Sequence, residues 1–350
     1  MAVSFASQRL ELTDDSLEAW YELSEREHLG DGLPLIPPTL DRVEAMIAGS
    51  GRRPDELIAV LVPRLGAATV EKIAISAVMA GCRPEYMPVI IAAVEAIAHP
   101  DFELKISAVT TNACTPFMVI NGPDRDTLGV NYRESCFGSG GRTNATIGRA
   151  LRLIQINVGG AIPGLVSKSV FGQPGRYTMC IGENEEDNPW EPLHVQRGFR
   201  RDENTVTAFP VTGTHHLTDI YSMSGESYLH MVAHSVDAVA ESIFGAANPV
   251  IIFCPQWAQR IAEDGFSRRD VQQYLWEKSQ QPLERYPKDH QVVLHNTENR
   301  ILPGDMVPLT DSPEKISILV AGGAGGLHTT TLPGFSGKPV TRTFELTKKS

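Results

Sequence analysis

Short apolar runs, each closed by glycine or proline, constrain this chain more than any other feature. PFMVINGP (116–123), PVIIFC (249–254) and ISILVAGG (316–323) are too short for buried helices, and their β-branched and aromatic content fits strands. TVTAFPV (205–211) and LKISAVTT (104–111) read the same way. Between them lie stretches of helical periodicity: 14–28, 40–51 after Thr39, 69–81 from Thr69, 89–98, 144–158, 228–244, and segments around Trp257 and Val271. GDGLPLIPPT (30–39) is an extended, ordered loop, because Pro34, Pro37 and Pro38 forbid helix. Strands alternating with helices predict an α/β (or α+β) fold, a mixed sheet with helices on its faces, in two lobes. The irregular QRGFRRDEN segment sets a boundary between 1–200 and 201–350, with one intertwined domain as the alternative. No repeat period appears.

At 350 residues with 42% hydrophobic content, the chain can bury a substantial core. Lysine and arginine total 31 against 42 acidic residues, a net charge of −11, which argues against general nucleic-acid binding. No apolar run reaches the ~18 residues of a membrane span. The N-terminal stretch turns acidic too early for a secretory signal, so a cytoplasmic location is expected. Five cysteines without a CxxC pair suggest neither a disulfide scaffold nor a zinc ribbon.

The densest candidate chemistry lies in SCFGSGGRTNATIGRALRLIQINVGGAIPG (135–164). Glycines before a helix let backbone N–H groups face an anion, and Arg142, Asn144 and Arg149 could complete a carboxylate or phosphate site. The stretch lacks the Gly-Lys-Ser/Thr ending of a nucleotide loop and does not match the dinucleotide fingerprint; a tight turn before a packed helix is the alternative. Cys136 precedes the loop, where a helix N-terminus and arginines would lower its pKa. Cys114, between two expected strands, is the rival nucleophile, and both could instead be small buried hydrophobes.

CIGENEEDNPWEPLH (180–194) concentrates Glu183, Glu185, Glu186, Asp187, Trp190 and His194 in a segment without periodicity. Glu183 or His194 could move protons, with Trp190 supplying the apolar neighbour that shifts a carboxyl pKa and Asn121 of VINGP adding a substrate contact. In SYLHMVAHSVDAVAESIF (227–244), His230, His234, Asp237 and Glu241 share a helical stripe that could hold iron or zinc, with His215 or His216 from VTGTHHLTD; a solvated polar face is the alternative. AGGAGGLH (321–328) has a histidine where the third fingerprint glycine belongs, so no nicotinamide site is expected there.

GDGLPLIPPT, AVMAGCRPEYMPV, VINGP, TNATIGRALRLIQINVGGAIPG, ENEEDNPWEPL and IAEDGFSRRDVQQYLWE together resemble a poorly characterised bacterial family associated with UGSC-type thiol or selenol proteins. The likeness spans most of residues 30–330. The chain lacks the family's Cys-Gly-Ser-Cys motif, SCFGSG being a different pattern, and no catalytic residue is carried over. The first functional expectation is an enzyme acting on a small anionic organic molecule by lyase, hydratase or hydrolase chemistry, without nicotinamide or ATP. Its rivals are a histidine-ligated metalloenzyme and a non-catalytic partner of a thiol or selenol protein. A homo-oligomer is expected, without nucleic-acid or membrane partners.

Overall fold

The computed structural model describes residues 6–12, 14–236, 248–297 and 301–347. It is an α/β structure with two four-stranded mixed sheets. After the hairpin β1 (Leu57–Leu61) and β2 (Gly66–Thr69), the larger strands are β3 (Thr115–Asn121), β4 (Cys180–Gly182), β5 (Asn204–Val211), β6 (His215–Thr218) and β7 (Val250–Phe253). The short pair β8 (Gln281–Pro282) and β9 (Met306–Val307) follows, then β10 (Ser317–Val320), β11 (His328–Leu332) and β12 (Val340–Phe344). The first sheet has the order β12-β5-β3-β4 and the second β10-β7-β11-β6.

Both sheets are built alike. A parallel pair, β3 with β4 or β7 with β10, forms one side, and two antiparallel strands complete the other. The fourth strands are exchanged: β6 follows β5 in sequence but pairs with β11, and β12 follows β11 but pairs with β5. A division at residue 200 therefore cuts the first sheet, because β5 and β12 come from beyond it.

Side-chain alternation along the strands explains the layering. On β3 and β5, Met118, Ile120, Val206 and Ala208 face helices α2 (Leu40–Ser50), α3 (Val70–Ala80), α4 (Met87–Ala98) and α7 (Arg142–Asn157). Phe117, Val119, Phe209 and Val211 face the other way and meet Val250, Ile252, Leu319 and Leu332 of the second sheet. Ile251, Phe253, Ile318 and Val320 then turn outward onto α9 (Gly225–Ser235) and the helices Pro255–Glu263 and Arg268–Lys278. The result is four layers, helix, sheet, sheet, helix, with three apolar seams.

Local chemistry accounts for the helices. Thr69 caps α3 and Gly81 ends it in the left-handed region, as the sequence suggests. Helix α4 is apolar on nearly every side because it is buried on nearly every side. On α7, Gly148 is required by close approach: a Cβ there would lie 2.2 Å from Thr178 Oγ1. One expectation is corrected. LKISAVTT is not a strand; Leu104–Val109 is helix α5, with Leu104, Ser107 and Ala108 buried and Ile106 and Val109 exposed. Its β-branched content suggests a strand, but burial follows the helical period. The expected helix over 228–244 is described as α9 up to Ser235, and the rest lies outside the described residues.

Candidate functional site

The parallel pairs of the two sheets bring their C-terminal ends together, where loops diverge and leave a crevice in open α/β sheets. Asn184 N–H donates to Val320 O (2.8 Å), Gly322 N–H to Tyr132 O (2.9 Å) and Gly182 N–H to Asn131 O (3.1 Å). The loops after β3, β4 and β10 are thereby bonded to one another.

Glu183 is the hub. None of its surface is exposed, nor is any of Asn121 or His194. Its Oε2 accepts from Asn121 Nδ2 (2.6 Å) and Leu193 N–H (2.8 Å), and its Oε1 from Asn188 Nδ2 (3.0 Å). Its carbonyl accepts from Arg125 Nη1. Arg125 also pairs with Glu185 (3.2 Å) and Glu186 (2.6 Å) and lies 4.6 Å over the Tyr132 ring. Glu185 accepts from Gly122 N–H (2.8 Å) and Asn121 Nδ2 (3.1 Å), fixing the turn that leaves β3. From the second sheet's helical layer, Arg268 reaches in, donating to Ile318 O (3.2 Å) and Glu191 O.

Burial pushes the Glu183 carboxyl up to about 6, and the nearby Arg268 guanidinium opposes that rise. Burial also lowers His194 below the ordinary imidazole range. Its Nε2 lies 3.4 Å from Arg201 O, so Nε2 carries the proton and Nδ1 presents a lone pair. That Nδ1 has no hydrogen-bond partner; neither do Asn121 Oδ1, Thr205 Oγ1 and Arg268 Nε, all buried. Thr205 sits directly across from Asn121 in the β3–β5 ladder. Orphaned buried polar atoms are uncommon and costly, and two of these belong to residues that act on Glu183, Asn121 by a hydrogen bond and Arg268 by its charge.

The other expected site residues lie elsewhere. Arg149 forms a bidentate pair with Asp31 (2.8 and 2.9 Å) and donates to Leu33 O and Pro34 O. It thus pins the proline-rich loop to α7 rather than facing an anion. Arg149→Ala should lower stability by about 2 kcal/mol, from loss of charge-assisted bonds, and expose the 30–38 loop to proteolysis. A urea titration and timed digestion would check this. Arg142 donates twice to Gly81 O (3.1 and 2.9 Å). Asn144 clasps the preceding loop through Asn131 N–H, Asn131 O and Cys136 O. Trp190 donates from Nε1 to Phe266 O (3.0 Å) and meets Phe253 edge-on, so it anchors the acidic loop to the second outer core.

The surroundings of the thiols do not favour the nucleophile reading. Cys136 is buried between the sheets and its thiol is pushed up to about 11; Cys114 is buried likewise and pushed up to about 12. Desolvation dominates both, the opposite of an activated thiolate. The His230 and His234 ring centroids lie 4.4 Å apart on α9, while His216 lies 4.9 Å from His328 across the β6–β11 pair. Leu217 enters the outer core, so His215 and His216 point to opposite faces of β6. Asp237 and Glu241 lie outside the described residues. Among the described residues, no group of three or more His, Cys, Asp or Glu side chains is arranged to hold a metal ion, and no helix is long and apolar enough to cross a membrane.

Arg125, Arg268 and Thr205 escape the sequence reading. Arg125 follows the VINGP turn, the one signal that points to it; Arg268 lies 85 positions after Glu183 (268 − 183) and has no local signal. No protein-family model matches the chain, and no curated protein matches it.

Proposed function

We propose that the chain is an enzyme that moves a proton on a small anionic organic molecule, with lyase, hydratase or hydrolase chemistry. The observation that supports this best is Glu183: an enclosed carboxyl with a pKa raised to about 6, at the meeting of parallel strand ends, bonded to Asn121 and under the charge of Arg268, each of which keeps an unpartnered buried atom. A carboxyl tuned toward neutrality is suited to take and return a proton near physiological pH. Arg268 Nε supplies the free donor for an anionic oxygen, and Asn121 Oδ1 and Thr205 Oγ1 can hold a hydroxyl or amide of the substrate. His194 Nδ1 is a second proton acceptor on the same loop. The 184–192 segment is tied to the second outer layer by Trp190 Nε1 to Phe266 O (3.0 Å) and by Gln259 Nε2 to Asp187 O (3.4 Å).

The test is a thermal-shift screen of small hydroxy-, keto- and dicarboxylic acids, followed by NMR of solvent deuterium exchange into any acid that binds. Wild type should exchange a carbon-bound proton, and Glu183→Gln should bind the same acid while exchanging about 10²–10⁴-fold more slowly, the usual worth of a general base. Binding without exchange in wild type, or equal exchange in the variant, would sink the reading.

A further inference from the structure

The hairpin of β1 and β2 stands apart from both four-stranded sheets. Its inner face belongs to the first core: Leu61 and Ala68 are wholly buried, and Ile58, Ala59 and Val62 pack against the same cluster. Its base is closed by Val70 N–H on Glu56 O (3.0 Å), and its tip is fastened to the end of α7 by Arg64 N–H on Gly159 O (2.9 Å). At Gly66 a Cβ would lie 1.8 Å from Val158 O, so β2 runs close against that helix end. The hairpin is held in place before anything binds it, which keeps the ordering cost of an added strand small.

The outer side of β1 has no such cover. Among the described residues, the backbone of Leu57–Leu61 bonds to β2 and to nothing else. In an antiparallel pair, alternate N–H and C=O groups point away from the partner strand. Beside those groups stand Leu57, 55% exposed, and Val60, 51% exposed, with Leu65 of the turn 67% exposed. The outer strands elsewhere are protected by what they carry. β6 presents His215, His216 and Thr218, β12 presents Arg342 and Thr343, and β4 and β10 are buried apart from Ser317. β1 reads LIAVL, with no charge, proline or glycine. Such an edge is a template for another extended strand.

Three observations select a second copy of this chain as that strand. LIAVL reads almost alike in both directions, so antiparallel pairing about a twofold axis at Ala59 sets Leu57 against Leu61 and Ile58 against Val60 of the second copy. An isologous contact needs that self-complementarity. The charges also match: the same arrangement carries Arg64, exposed and without an ion-pair partner among the described residues, to the end of the second copy that holds the exposed Asp55. Finally, β2 lies against α7, so one edge of the hairpin is free and the assembly closes at two copies.

We propose that β1 is a dimer interface, two copies joining edge to edge into one four-stranded sheet of order β2-β1-β1-β2. The β1–β2 register shifts between Leu57 and Ala59, so backbone pairing is regular over Ala59–Leu61, and the exposed Leu57, Val60 and Leu65 side chains supply the rest of the contact. An edge this short is smaller than the roughly 800 Å² per partner of a standard interface, so the dimer should dissociate at about 1–100 µM. None of the residues around Glu183 takes part, and the interface stands or falls apart from that chemistry.

Sedimentation velocity over about 1–200 µM, a range that brackets this constant, tests the proposal together with amide hydrogen exchange at both ends of the range. Wild type should pass from monomer to dimer, and the amides of Leu57–Leu61 should gain protection as it does. Val60→Lys places a charge on the edge at an exposed position; it should raise the dissociation constant by about 10-fold or more and melt as wild type does in dilute solution. Arg64→Glu should weaken pairing more at low than at high salt, as an exposed charge contact requires. Four results would each overturn the proposal: a wild type monomeric throughout, a Val60→Lys protein that dimerises equally well, a dimer without added protection at Leu57–Leu61, or growth beyond two copies.

Discussion

Replacing Glu183 with Ala should destabilise the protein by about 3–5 kcal/mol, the cost of removing one partner from a buried charged network. Three donors lose their acceptor together, Asn121 Nδ2, Asn188 Nδ2 and Leu193 N–H, and Arg268 loses the carboxylate whose field it feels. Equilibrium urea unfolding at neutral pH measures this. Glu183→Gln separates shape from charge, because an amide oxygen can still accept from Asn121 and Leu193. The pH dependence has a definite sign. A carboxyl held at about 6 in the fold, against an ordinary 4.5, is more protonated in the native than in the unfolded chain between those values. Stability contributed by this group is therefore greatest below pH ~4.5 and falls as pH rises through ~6, by about 2 kcal/mol in all. Glu183→Gln should remove that slope, so the stability gap between the variant and wild type should shift by about this amount in the variant's favour from pH ~4.5 to pH ~6.5. A constant gap across that window would show that the carboxyl titrates normally.

Phe117→Ala should be comparably severe, at about 3–5 kcal/mol for emptying a phenylalanine-sized space in a close-packed core. Phe117 is wholly buried in the seam between the two sheets, stacked on Phe137 at 5.5 Å and tilted against Phe209 at 5.9 Å. Apart from Phe137 in the turn above it, its aromatic and aliphatic neighbours include strand residues of both sheets, so local collapse can fill the space only in part. Met118 is equally buried but faces the helices, where Met118→Leu conserves volume and should cost less than about 1.5 kcal/mol. Thermal melting of both variants checks the layer assignment: similar losses would mean that the faces of β3 are not distinct.

Several parts of this architecture were legible in the residues. PFMVINGP, PVIIFC and ISILVAGG announce strands because apolar runs that short, closed by turn residues, have few other solutions. The start of α7 and the Thr69 cap were readable from local rules. LKISAVTT misleads because propensity and burial disagree there, and packing decides. Glu183, His194 and Asn121 stand out in the sequence as candidates, and the structure joins Glu183 and Asn121 by a hydrogen bond. Arg149 and Arg142 carry the same charge that an anion site would need, and nothing local distinguishes an arginine bound to Asp31 from one awaiting a ligand. That difference is set by tertiary neighbours 118 and 61 positions away. Arg152 illustrates the converse: it sits inside an apolar stretch of helix, where its burial and its bond to Gln155 show only in three dimensions.

The exchanged fourth strands also govern when this protein can finish folding. The β12–β5 ladder joins Phe344 to Asn204, 140 positions apart (344 − 204), and it closes the open side of the first sheet. Until residues 340–344 leave the ribosome, β5 presents a bare edge, an invitation to pair with another nascent chain. Loop closure over such a span must precede the contacts that reward it, so completion is slow compared with the helical layers. Synthesis and assembly are thereby ordered in time. The first sheet waits, incomplete, for β12, and shortening the chain before residue 340 is expected to produce aggregation rather than a smaller folded unit.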